Sequence, residues 1–279
     1  MKKIFTLIFS IGFIIIIGYG TCNSKFALTN ISPRKDRLDL IKENGKLTFI
    51  SANDPPFAYV NPETKKLSGI DADIIVEITK RLGINNIEMK EAQFSELLDK
   101  LNTDDSIDVA ANAIFITPER EEIVSFTQPL YKESEVVVVP KASKINFKDD
   151  LKNAVVGVEK GTKFEDLVQG WKKKNLIKDV AIFDRNLEVL NAVNSGKIDA
   201  AVSDSSIAKY ALNNNNFFFK TLRDYTPELY GTVGIAVRKN DITLLNALNE
   251  TISQMKADDT LHAILLDNGL DNSNLIEGE

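Results

Sequence analysis

The sequence predicts an α/β protein of two lobes, each a parallel sheet covered by helices, joined by a two-strand hinge. Three observations carry this. Short β-rich runs alternate with helical periods, the pattern of parallel strands linked by crossover helices. The pattern runs through twice and leaves a strand and a helix over after the second pass. The run between the passes, Glu135-Val136-Val137-Val138-Val139, contains no turn residue, so the chain leaves the first lobe as an extended strand. A second crossing near residues 230–232 must bring it back. Lobe one is then residues 36–135 with 232–279, and lobe two is residues 136–231.

The elements follow in order. Residues 46–51 (KLTFIS) read as a strand, and Ile74, Ile75, Ile78 and Leu82 share one face of a helix over 71–82. A short strand at 87–90 precedes a second helix marked by Phe94, Leu97, Leu98 and Leu101. A third strand covers 108–113, and Pro118 opens a short helix reaching 123. In lobe two, 135–139 and 154–158 are strands, and the helix 163–174 turns Phe164, Leu167, Val168 and Trp171 inward. Strand 180–183, helix 187–194, strand 200–203 and helix 205–212 complete it. A strand at 234–238 and a helix carrying Leu244, Leu245, Leu248, Ile252 and Met255 follow. Two lobes on a hinge enclose a cleft, and α/β proteins bind ligands at the carboxyl ends of their strands.

Composition narrows the function. Among 279 residues, 34 Lys and Arg face 40 Asp and Glu, a formal charge of −6, which gives no basic footprint for nucleic acid. One Cys and one His leave no internal disulfide and no His/Cys metal cluster, so zinc hydrolases and Cys/His proteases are poor candidates and no cofactor or metal is expected. A site of carboxylates, Arg, hydroxyls and backbone amides remains.

The first 22 residues read as an export signal. Lys2 and Lys3 precede an apolar run from Ile4 to Ile17, broken only by Thr6, Ser10 and Gly12, and small residues follow it. The run is shorter than the ~20 residues of a spanning helix. Gly20-Thr21-Cys22 resembles a bacterial lipobox, with Tyr19 where an aliphatic residue is usual, and the only cysteine stands at the lipidation position. Cys22 is therefore either a lipid anchor to the membrane or removed by cleavage nearby. Residues 23–35 are polar and form a tether. The mature chain is expected in the periplasm or at the cell surface.

Six short segments then point to a family. They are Asp54-Pro55-Pro56-Phe57; Gly69-Ile70-Asp71-Ala72-Asp73 with Arg81-Leu82-Gly83; Thr117-Pro118-Glu119-Arg120; Phe126-Thr127-Gln128-Pro129-Leu130-Tyr131; Val156-Gly157-Val158 with Gly161-Thr162; and Ser195-Gly196-Lys197-Ile198-Asp199-Ala200 with Asp204. Their order and spacing resemble the extracytoplasmic solute-binding proteins of family 3, amino-acid receptors of ABC importers with the type II periplasmic-binding-protein fold. The resemblance spans residues 47–270. It implies a monomeric receptor that presents a polar amino acid to a membrane permease.

The resemblance also implies a site. Arg120 would hold the ligand's α-carboxylate through its planar fork; without the resemblance it reads more readily as an exposed helical Arg paired with Glu119 or Glu121. Gly161, Thr162 and Lys163 stand at a helix N-terminus suited to a second carboxylate contact, with Thr162 as a simple cap the competing use. Asp204, after a strand, would take the α-ammonium group, or else cap the next helix. Asn112 and Ala113 would line the cleft. Phe115 replaces the family's small hydroxyl residue with an apolar wall. Asp54 stands where an aromatic is common and pairs with a cationic ligand side chain or is a solvated turn residue, and Phe57 is core or contact. Asp71 and Asp73 read as helix-start acids, residues 171–174 as a solvated charge run, and His262 as a surface or half-buried side chain. With no cleft His or Cys for acid–base work, no catalytic residue is assigned. A dehydratase of the cyclohexadienyl type on the same scaffold is the alternative.

Overall fold

The computed structural model describes residues 36–214 and 217–276. The export segment 1–22, Cys22 and the tether 23–35 lie outside the described residues. The first lobe runs α1 (Arg37–Asn44), β1 (Lys46–Ser51), β2 (Tyr59–Val60), β3 (Leu67–Ser68), α2 (Ile70–Arg81), β4 (Asn86–Glu91), α3 (Leu97–Thr103), β5 (Val109–Ala110), α4 (Pro118–Glu121) and β6 (Ser125–Phe126). Strand β7 (Tyr131–Pro140) leads into β8 (Val155–Glu159), α5 (Lys163–Lys173), β9 (Asp179–Phe183), α6 (Asn186–Asn194), β10 (Ala200–Asp204), α7 (Ser205–Asn213) and β11 (Phe219–Thr221). Strand β12 (Tyr230–Val233) returns the chain to β13 (Ala236–Val237), α8 (Ile242–Ala257) and α9 (Thr260–Asp267).

Two main sheets result, beside the short antiparallel pair β2–β3. The first has the order β4-β1-β5-β13-β6, with β1 parallel to β4 and β5 and the late strand β13 antiparallel to β5 and β6. The second has the order β11-β7-β10-β8-β9, with β8 parallel to β9 and β10 and β7 antiparallel to β10 and β11. Each sheet thus keeps a parallel core and takes antiparallel strands beside it. The crossing itself is the antiparallel pair of β7 with β12, Tyr131 opposite Val233 and Ser134 opposite Tyr230. It lies just before the all-valine run, not within it. Val136, Val137 and Val138 pair with β10 inside the second sheet, and an inner strand buried on both faces is what a continuous apolar run encodes.

Helices cover both sheets. The predicted apolar face of α2 is buried through Ile74, Ile75 and Ile78. Helix α8 packs on α1 and α2, and α9 packs on α2, so the late helices join the first lobe. Helix α1 starts at the residue after Asp36, whose side chain accepts from Asp39 N–H. Trp171 is not part of a solvated run. It is buried and meets Tyr225 edge-on at 6.5 Å, with the Lys148 ammonium 4.8 Å from its ring centre. Among the described residues no helix is long and apolar enough to cross a membrane.

Candidate functional site

Strand β5 ends at Ala110, well short of the predicted 113, because the chain there turns out of the sheet into the interlobe cleft. Ala113 takes φ 48°, an unusual value for a residue with a Cβ. It is held by Asp71, which accepts from Ala113 N–H at 2.6 Å and from the Tyr131 hydroxyl at 2.9 Å. Asp71 therefore stands in the first turn of α2, as expected, but does not cap it. It is buried, Gly69 occupies the cap position, and no side chain caps α2. Gly69 has a reason of its own: at φ 114° a Cβ would sit 2.5 Å from the carbonyl oxygens of Pro56 and Phe57, which accept from the N–H groups of Ile70 and Asp71. Asp73 accepts from Asn268 Nδ2 at 2.8 Å.

The cleft offers about 330 Å³ of space, part of it open to solvent. Its apolar wall is Phe57, Phe94, Phe115, Phe164 and Ile207, and its polar lining is Asp54, Asn112, Arg120, Glu159, Thr162, Lys163 and Asp204, with Ala113 between. Nine of the ten predicted positions line it, and Gly161 lies beside it. Phe94, Glu159, Phe164 and Ile207 were not singled out as site residues. The aromatics and Ile207 carry helical core periodicity, which hides a second use. Glu159 was legible in principle, since it is the last residue of β8, at the carboxyl end of a sheet strand.

Arg120 sits in the first turn of α4, which Thr117 caps by accepting Arg120 N–H at 3.3 Å. Its guanidinium donates to Phe115 O at 2.9 Å and to Gly161 O at 3.1 Å, and stands 5.4 Å from the Phe94 ring centre. It is not paired with Glu119 or Glu121. Burial pushes its pKa down to about 10, with Asp166, Glu119 and Asp204 opposing from longer range. Two of its five N–H groups are thus used, and the rest remain to be offered.

Thr162 does cap its helix. Its hydroxyl accepts from Glu165 N–H at 3.2 Å and donates to Glu159 O at 2.8 Å. Gly161 N–H goes to Glu165 Oε2 at 2.8 Å, and Lys163 Nζ to Asp166 at 2.7 Å. What α5 has left are N–H groups of its first turn, which have no helical acceptor. Gly161 has φ 79°, and a Cβ there would lie 2.8 Å from Ser95 Cβ across the cleft. Asp204 begins α7 without a capping bond. Asn112 Oδ1 accepts from Ser51 Oγ at 2.7 Å and Ala52 N–H at 3.1 Å, which fixes the start of the Asp54 loop. Asp54 is buried rather than solvated, in a backbone bridge with Ala58.

The lobes meet across this cavity. The Phe115 and Phe164 rings pack edge-on at 5.6 Å, the Tyr59 and Tyr210 hydroxyls lie 3.4 Å apart, and Arg185 pairs with Glu91 at 2.8 Å. The cleft is closed.

Residues 47–267 match the family described as bacterial extracellular solute-binding proteins, family 3. The chain belongs to this family. It is 31% identical to the ABC transporter glutamine-binding protein GlnH of Bacillus subtilis (strain 168), covering 92% of this chain and 94% of that protein. Among solved structures it is similar to a P235GK mutant of ArgBP from T. maritima, at 30% identity and TM-score 0.73, covering 82% of this chain and 97% of the other. It is also similar to the ancestral amino acid-binding protein AncCDT-1, a precursor of cyclohexadienyl dehydratase, at 28% identity and TM-score 0.70, covering 84% of this chain and 99% of the other.

In this family 3 protein the closed cleft concentrates acids. Burial pushes Asp54 up to about 7 and Asp71 up to about 6 from 3.8. Burial, reinforced by neighbouring acids, also pushes Glu159 and Asp204 well up. In the unfolded chain such carboxyls titrate near 4. Between about pH 4 and pH 7 the folded protein therefore binds more protons than the unfolded chain, so unfolding free energy falls as pH rises. The contribution is complete below the unfolded values and is lost as pH rises through the folded ones. Surface acids such as Asp104 and Asp258 are held low, at about 2, so they act below this window. The unliganded protein is expected to melt higher at pH 5 than at pH 8, by the equivalent of a few kcal/mol. Calorimetry showing the opposite slope would contradict this account.

Proposed function

We propose that this chain is the extracytoplasmic receptor of an ABC importer and that it binds a polar α-amino acid without turning it over. The observation that carries the reading is the cavity's polarity. Arg120 from the first lobe and Asp204 from the second border one enclosed space, a cation for the α-carboxylate and an anion for the α-ammonium group. The first-turn amides at Thr162 and Lys163 would add donors to the carboxylate. Asn112, Ala113 and Phe115 would shape the floor, with Asp54 and Phe57 at the side-chain end. The relatives' amino-acid ligands support the same class.

The binding groups come from both lobes, so the ligand favours the closed state, and that differential affinity drives closure about the β7–β12 pair. The closed form would offer the permease a surface the open form lacks. A lobe division close to 135/136 and 231/232 is supported by which strands share each sheet, with Glu135 already paired to Asp204 in the second. The monomer is the acting unit in this reading. Export by residues 1–22 and anchoring through a lipidated Cys22 complete it, supported by the basic start and apolar run.

The test is a thermal-shift screen of the twenty amino acids and small organic acids, since a ligand of the folded state raises the melting temperature by mass action. An amino acid that raises it and is recovered unchanged supports the proposal. Stabilisation only by acids lacking an amino group, or chemical conversion of the ligand, would overturn it. Mass spectrometry of the mature N-terminus separately tests the anchor: a chain starting beyond Cys22 would remove it and leave export standing.

A further inference from the structure

Two acids in the cavity are left over by the zwitterion contacts. Asp54 lies in the loop after β1 and Glu159 ends β8, so one comes from each lobe. They are 6% and 4% exposed, both line the cavity, and Asp54 Oδ2 and Glu159 Oε1 are buried atoms with no hydrogen-bond partner. Leaving a carboxylate oxygen buried and unpaired is costly, so such atoms call for a partner that arrives from elsewhere.

The protein's own cations do not supply it. Arg120 donates to Phe115 O and Gly161 O, Lys163 pairs with Asp166 and Arg185 with Glu91, and none of these bonds reaches Asp54 or Glu159. Arg185 acts on Asp54 only through space, and the groups bonded to the two acids are neutral. Asn186 Nδ2 stands 3.5 Å from Glu159 Oε2, and the Asn112 side chain bonds Asp54. Asp54 and Asp204 moreover act on Glu159 as like charges. A divalent metal does not fit, because among the described residues no three His, Cys, Asp or Glu side chains are grouped to hold one.

We propose that Asp54 and Glu159 form a side-chain subsite that selects an amino acid ending in a positive charge, an ammonium or a guanidinium. This rests on the receptor reading above and deepens it. The charges then balance along the ligand. Its α-carboxylate faces Arg120, its α-ammonium group faces Asp204, and its side-chain cation faces the two leftover acids. The phenylalanine wall covers the aliphatic stem between the ends, as apolar surface does for long cationic side chains.

Calorimetry with two matched pairs tests this: L-arginine against its neutral isostere L-citrulline, and L-lysine against L-norleucine, which has the same four-carbon stem without the terminal ammonium group. The wild-type protein is expected to prefer at least one cation over its neutral partner by about a hundredfold. In the Asp54→Asn/Glu159→Gln double variant the preference is expected to fall to within about threefold, with neutral ligands bound at least as well as before. Both substitutions conserve shape and remove unpaired charge, so the variant is expected to melt no lower than wild type. Equal wild-type affinity for arginine and citrulline, and for lysine and norleucine, would overturn the subsite while leaving an amino-acid receptor. A preference that persists in the double variant would overturn the assignment to these two residues. Failure of every amino acid to bind would overturn the receptor reading and the subsite together.

Discussion

Arg120→Ala is expected to weaken amino-acid binding by at least about a hundredfold while the protein stays folded. Hydrogen bonds to charged groups contribute about 1.5–3 kcal/mol each, and a guanidinium can give a carboxylate two. Here the arginine is also desolvated, with its pKa pushed down to about 10, so its attraction for an incoming carboxylate is little screened. Truncation would remove one further element, the bond to Gly161 O that joins the lobes at 3.1 Å. Arg120→Lys keeps the charge and loses the planar fork, and is expected to recover only part of the affinity. Helix α4 is a single short turn with no buried residue, so the melting temperature of the free protein should change little. Calorimetry showing affinity within about twofold of wild type would remove Arg120 from the site.

The fold was legible because its signals are local. The strand at 46–51 and the helices built on Ile74–Ile78 and Phe164–Trp171 announce themselves by period. The same kind of reading placed the crossing a few residues late, since an all-valine run describes burial and not which sheet provides it. Short strands were over-read for a related reason. Ala110 and Ala113 look alike in sequence, yet one pairs in the sheet and the other turns at φ 48° to meet Asp71. A contact over 42 residues has no local signature.

The site divides along the same line. Arg120, Asp204 and Asp54 fell at loop or strand ends, where a cleft gathers side chains, and each could be singled out. Glu159 stood one residue beyond the strand assigned to it. Phe94, Phe164 and Ile207 fill core-like positions and line the cavity as well, and no periodicity separates those two roles. Thr162 shows the converse: a residue at a suggestive position whose hydroxyl is spent on its own helix.

Asp71→Ala is expected to destabilise the protein by about 2–4 kcal/mol and to lower ligand affinity as well. The carboxylate accepts from Ala113 N–H at 2.6 Å and from the fully buried Tyr131 hydroxyl at 2.9 Å. Each donor left without an acceptor in the interior costs about 1–3 kcal/mol. Part of that is offset, because burial already pushes the Asp71 pKa up to about 6, a sign that its charge is held at some expense. Affinity should fall because Ala113 keeps its left-handed backbone only while its N–H is held, and Asn112 and Phe115 lie on either side of that turn. Asp73→Ala is the informative comparison. It removes an acid from the same first turn of α2, one that accepts only from Asn268. If both acids merely complemented the helix dipole, each loss would cost about 0.3–1 kcal/mol. Denaturant midpoints should instead separate the two variants clearly, with Asp71→Asn between them, since its amide can still accept from Tyr131 but opposes Ala113 N–H with a donor. Equal midpoints for Asp71→Ala and Asp73→Ala would reduce Asp71 to a helix-dipole acid like Asp73.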